Sequence, residues 1–273
     1  MGVPGNGGAL KSLEFIKAHA DGNDFLFINN DGVASTDEAS HVAKSVCDRH
    51  TGVGADGLIF YRLTALGAAM KLFNADGSTA EVSGNGVRCL GAIVAAEDGI
   101  GSETIVETDG GIKVLTLLDV DSSRYTFRTH MGQPTGLREL ELGVEGRQLR
   151  VVVLSVGNPQ CVVLTDRLDE SRFTELGPTL GEHEAFPEGT NVEFVKVEQS
   201  DLLRILIWER GVGPTTSSGT GACASAVAAA KYGGANRALD VVSPGGTQHV
   251  EWDEDGIYLT GSAELIAYGK WLV

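Results

Sequence analysis

Short apolar runs bounded by polar turn residues fill most of this 273-residue chain, a pattern of strands. Residues 15–19 and 25–28 read as two strands around the polar turn Asp21-Gly22-Asn23-Asp24. The runs 58–61, 70–73, 104–108, 112–118 and 125–128 continue the series. In the second half 151–156, 161–164, 192–197 and 202–208 repeat it, and 241–242, 249–252, 257–260 and 263–266 close it. Asp-Gly pairs beginning at 76, 98, 109 and 255 punctuate these runs as turns. Helical spacing appears over 36–50, where Ala39, Val42, Ala43 and Val46 share one side.

Two further segments are alanine-rich, and both open on the same motif. Ser83-Gly84-Asn85-Gly86 precedes the apolar run 90–96, and Ser218-Gly219-Thr220-Gly221 opens a segment reaching Lys231. A glycine-rich turn that starts a helix leaves free N–H groups at the positive end of the helix dipole, where a carboxylate or phosphate binds. The glycines also read simply as turn residues before two core helices. A dinucleotide fingerprint fits Gly219-x-Gly221-x-x-Ala224 loosely, but residues 211–218 separate it from the preceding strand. A Walker loop needs a lysine after the glycines, and none follows. The duplication favours a two-sided site, with two helices holding one carboxylate between them. The predicted class is α+β: two similar halves, each a mainly antiparallel sheet around a central helix, with the site in the cleft between them.

Composition narrows the partners. A net charge of −16 argues against nucleic acid and membrane surfaces, which select basic patches. No apolar run approaches the roughly 20 residues of a membrane span. Residues 1–10 are Gly/Pro-rich and read as a disordered leader, and the chain reads as cytoplasmic. Cys47, Cys89, Cys161 and Cys223 are too scattered for a disulfide framework or a zinc site. The Asp-Gly pairs do not fall in a calcium-loop spacing, so no metal is expected.

Seven segments carry a family resemblance. They are Gly22-Asn23-Asp24-Phe25, Gly54-Ala55-Asp56, Asn74-Ala75-Asp76-Gly77-Ser78, Gly84-Asn85-Gly86, Gly157-Asn158-Pro159, Gly189-Thr190-Asn191-Val192 and Glu209-Arg210-Gly211. In this order, from Phe15 almost to the C-terminus, the chain resembles diaminopimelate epimerase. The resemblance implies two half-barrels, here 11–125 with a returning strand at 263–273, and 126–262. It implies a cofactor-free site between them, converting LL- to meso-diaminopimelate, a small amino-acid substrate, and it leaves a homodimer open. In the family two cysteines, one before each Gly-x-Gly, work on the α-carbon from opposite faces. By resemblance Asn74, Asn158, Asn191 and Arg210 hold the remote end of the substrate, and Asn23 lines the pocket beside Glu209. The N–H groups of Gly84-Asn85 and Gly219-Thr220 take the reacting carboxylate.

The sequence departs from the family at the chemistry. Ser83 and Ser218 stand where the cysteines belong, and Cys89 and Cys223 lie six and five residues further on, inside the helices, where they read as core residues. Gln160 replaces the histidine of a GNPH segment, Gly57 a glutamine, and Pro214 the glutamate of Gly-Glu-Thr; these further exchanges favour divergence over a two-site replacement. An alcohol is a far weaker acid than a thiol and becomes a base only when a partner takes its proton. Glu209 and His19 are the candidate partners. Each serine also reads as a helix N-cap. Three functions follow: an epimerase using the serine pair, a same-fold isomerase or dehydratase needing one base, or a silent amino-acid binder.

Overall fold

The computed structural model describes residues 12–29, 36–98, 102–144 and 146–272. The leader expected over 1–10 lies outside them, as does the end of the Asp-Gly turn at 98–99. Among the described residues the strands join into one continuous sheet, and the chain lays down the same plan twice.

In the first pass β1 (Ser12–Ala20) and β2 (Asn23–Asn29) form a hairpin, α1 (Thr36–Cys47) crosses over, and β3 (Gly57–Thr64) returns parallel to β2. After β4 (Gly67–Asn74) and the short β5 (Thr79–Ala80), α2 (Gly84–Asp98) crosses to β6 (Glu103–Thr108), parallel to β4. β7 (Gly111–Asp121) and β8 (Arg124–Gly132) follow antiparallel. After β9 (Thr135–Val144), β10 (Arg147–Ser155) and β11 (Pro159–Leu164) begin the second pass. There α3 (Glu170–Gly181) crosses to β12 (Asn191–Gln199), parallel to β11. β13 (Leu202–Glu209), β14 (Gly213–Thr215), α4 (Gly219–Tyr232), β15 (Ala238–Ser243), β16 (Gly246–Trp252) and β17 (Ile257–Leu272) complete it. β17 is shared: its start lies between β16 and β8, and its end pairs with β1.

Each half wraps a core around its central helix. Val87, Leu90, Ile93 and Val94 of α2 pack against Phe27, Leu72, Leu115 and Phe127. Ala222, Ala226, Val227 and Ala229 of α4 pack against Val195, Leu203, Ile207 and Leu259. A helix apolar on all sides must be enclosed, and small alanines let the strands close around it. α1 and α3 cover the outer faces with clusters of their own.

The turns follow local chemistry. Asp21 and Gly22 both take positive φ, 51° and 83°, the two-residue hairpin geometry an Asp-Gly pair favours. The helix expected over 36–50 ends at Cys47, because Asp48 Oδ1 accepts the His50 and Thr51 N–H groups at 2.8 and 2.6 Å and closes a turn. The strands expected at 257–260 and 263–266 are one strand. Gly261 does not break it; a Cβ there would stand 3.2 Å from Arg88 Cζ, so the glycine gives room to a buried guanidinium. No described helix is long and apolar enough to cross a membrane.

Candidate active site

The two serines sit at equivalent places. Ser83 precedes α2 and accepts the Gly86 N–H at 3.1 Å. Ser218, with φ −146° and ψ 123°, is the N-cap of α4 and accepts the Gly221 N–H at 3.2 Å. Each hydroxyl thus satisfies one of the orphan donors of its helix. Both Oγ atoms lie at the positive end of a dipole that stabilises negative charge. The first turn of α2 is open: a Cβ at Gly84 would meet nothing within 4 Å. The start of α4 is enclosed, with Ser218 only 6% exposed.

The surroundings of the serines differ. Glu209, at the end of β13, is close enough to Ser218 for their electrostatics to couple; burial pushes its carboxyl up, and the Ser218 hydroxyl pulls it partly back. A carboxylate made more basic by burial is suited to take a hydroxyl proton. Thr220 Oγ1 lies 3.5 Å from Ser218 Oγ. Among the described residues no carboxylate hydrogen-bonds Ser83, and His19 reaches neither serine. The His19 ring accepts from Gly22 N–H at 3.3 Å and lies 3.7 Å from Glu264.

The structure joins several of the other expected residues in pairs. Asn85 Nδ2 donates to Asn23 Oδ1 at 3.2 Å, and Asn23 Nδ2 to Asp56 at 2.8 Å. Asn191 Oδ1 accepts the Arg210 N–H at 2.9 Å, which ties the start of β12 to the loop after β13. Arg210 itself is exposed, with Nη1 on the Glu188 carbonyl at 2.8 Å. Asn158 Oδ1 accepts from Gln160 Nε2 at 2.6 Å, and Gln160 pairs with Asn191 across β11 and β12. Asn74 is exposed at the end of β4, opposite Gly57, and donates to Ser78 Oγ at 2.9 Å. Gly219 is buried against Leu259.

All four cysteines are buried and free. Burial pushes the Cys223 thiol up to about 12, and Cys89 is raised by the same cause. Neither is a thiolate source. One buried group near α4 had no individual signal in the sequence. Glu193 is fully buried beneath the first turn, with both carboxyl oxygens lacking a hydrogen-bond partner; a Cβ at Gly221 would lie 2.8 Å from its Oε1. Burial raises it well above the usual glutamate range, and the nearby Glu209 adds to this, which favours the neutral acid. Gln160 Oε1 and Thr215 Oγ1 are likewise buried without a partner. Arg88 carries no signal in the sequence beyond a charge ahead of the apolar run 90–96.

The diaminopimelate epimerase family profile matches residues 15–137 and 152–266. Diaminopimelate epimerase of Desulforudis audaxviator is 41% identical over 95% of this chain and 99% of its own length. That of Synechocystis sp. is 37% identical over the same shares. Among solved structures, a phenazine biosynthesis protein of the PhzF family from Bacillus anthracis superposes with a TM-score of 0.71 at 16% identity, covering 97% of this chain and 100% of that one. A hydroxyproline epimerase from Agrobacterium vitis gives 0.69 at 15% identity, covering 96% and 93%. These structural likenesses carry the fold, and the profile and sequence relatives carry the family: this chain belongs to the diaminopimelate epimerases.

Proposed function

We propose that this protein is a cofactor-independent amino-acid epimerase acting on diaminopimelate, with Ser83 and Ser218 on opposite faces of the α-carbon. The observation that carries the reading is the duplicated serine-capped first turn on α2 and α4, the central helices of the two halves, in a chain 41% identical to a diaminopimelate epimerase. Epimerisation removes the α-proton on one face and returns a proton on the other. The free N–H groups of both turns stabilise the charge that builds on the substrate carboxylate as Cα–H breaks. On the Ser218 side the hydroxyl proton passes to Glu209 while Oγ takes the α-proton; on the other face the Ser83 hydroxyl gives its proton to the α-carbon and the oxygen it leaves takes one from water, while Glu209 releases its proton to solvent. Arg210 supplies a guanidinium for the remote carboxylate, and Asn23, Asn74, Asn158 and Asn191 orient the two ends.

The test is incubation with LL-diaminopimelate in D2O. The reading predicts deuterium at the α-carbon together with the meso isomer. Binding with no deuteration and no inversion would contradict it. The asymmetry of the serines supports a second reading, a one-base isomerase or dehydratase on the same fold, because Glu209 serves Ser218 and no described carboxylate hydrogen-bonds Ser83. That reading predicts deuteration of the LL isomer without inversion.

A further inference from the structure

Two buried charges lie outside the residues assigned above. Arg88 on α2 and Asp21 in the β1–β2 turn have side chains only 2% and 7% exposed, with Nη2 3.0 Å from Oδ2. Their other contacts come from both halves. Arg88 Nη2 also donates to Asn85 Oδ1 at 2.5 Å, two residues beyond Ser83. From the second half, Gln248 Nε2 donates to Asp21 Oδ2 at 2.8 Å, and Ser217 Oγ, next to Ser218, reaches it at 3.5 Å. The fit is close on every side. A Cβ at Gly246 would stand 2.7 Å from Asp21 Oδ1, and one at Gly219, the first residue of α4, 3.8 Å from Arg88 Nη1.

We propose that Asp21 and Arg88 are positioning residues for the acid/base pair, a clamp across the seam that fixes the Ser83 turn relative to the Ser218 turn. The proposal rests on the reading of those serines as the two acid/base groups. Proton transfer on two faces of one carbon requires both groups within roughly 3–3.5 Å of it. Yet α2 and α4 are packed into separate cores, so neither core alone sets the distance between their first turns. Arg88 links them through one nitrogen, Nη2, which donates both to Asn85 on the Ser83 turn and to Asp21, the residue that Ser217 and Gln248 of the second half also reach. Burial pushes Asp21 up and Arg88, Gln248 and Ser217 pull it only partly back, and burial likewise outweighs Asp21 at Arg88. Such a pair contributes specificity of geometry more than stability.

Two measurements test the clamp. Amide hydrogen exchange is read on the native chain, on Asp21→Asn, and on Asp21→Asn/Arg88→Gln, which leaves no uncompensated charge. Kinetics are read in a Ser83→Cys/Ser218→Cys background with the same changes. The clamp predicts that peptides 83–89 and 217–223 both exchange about tenfold faster or more, while the α3 peptide 170–181 keeps its protection. It predicts kcat lower by about 10- to 100-fold with KM within about threefold. Protection at 217–223 unchanged in both variants would overturn it. So would loosening of all peptides together in the double variant, which would make the pair a general stabiliser, or unchanged kcat in a background that does turn over. A background inert towards diaminopimelate would defeat the proposed activity, and amide exchange at the two turns would still decide the clamp.

Discussion

At the scale of single residues, the second half of the site is governed by buried carboxyls. Glu193 is raised by burial in the folded chain, so its sign is the reverse of a salt-bridged acid. Stability is unaffected below the ordinary glutamate pKa and declines as pH rises above it, because the fold must keep a proton that the unfolded chain releases. Glu193→Gln, neutral at every pH, escapes this loss. Its melting temperature relative to the parent is therefore expected to climb between pH 5 and pH 8; a constant difference across that range would show that Glu193 is ionised in the fold. This behaviour was not legible in the sequence, where Glu193 is one of many acidic residues. Strand register alone turns it inward: it pairs with Ile207, whose side belongs to the α4 core, while its neighbours Val192 and Phe194 face α3.

At the scale of elements, the two motif turns share a sequence and differ in their space. A Cβ at Gly221 would lie 2.8 Å from Glu193 Oε1 and 3.3 Å from Ser218 Oγ, whereas one at Gly84 meets nothing within 4 Å. Gly221→Ala should lower stability by about 1–3 kcal/mol through overpacking. Gly84→Ala should leave stability nearly unchanged and weaken diaminopimelate binding, since the methyl projects into open space beside the expected carboxylate site. Chemical denaturation and calorimetric titration read these two outcomes; a strongly destabilised Gly84→Ala with parent-like affinity would remove that space from the site. Both turns were visible as Ser-Gly-x-Gly before alanine-rich runs. The helix α3 was not, because Gly177 and Pro178 interrupt 170–181. It forms because Asp169 caps it, accepting the Ser171 and Arg172 N–H groups at 3.0 and 3.1 Å. Gly177 lies under the Trp208 ring, where a Cβ would come within 2.7 Å. A glycine that reads as a breaker along the chain is there a packing residue.

At the scale of the whole molecule, the doubled plan was legible because hairpins and alanine-rich helices recur in the same order. The seam between the copies was not. Asp21 and Arg88 are 67 residues apart, and Ser217 lies 196 residues from Asp21, so only the folded chain brings them together. The family assignment and the serine pair meet at this seam, and they pull in opposite directions. By resemblance the helix N-termini, the asparagines and Arg210 correspond to an epimerase's binding apparatus, while the two hydroxyls are weak acids in place of thiols. Restoring the thiols separates inherited architecture from present chemistry. The measurement is α-deuteration and inversion of LL-diaminopimelate in D2O by Ser83→Cys/Ser218→Cys beside the unchanged chain. The retained helix dipoles ionise a thiol far more readily than an alcohol, so the double variant should exceed the parent by orders of magnitude and each single variant by much less. A double variant that binds diaminopimelate and exchanges no α-proton would contradict the placement of the acid/base pair at these two positions.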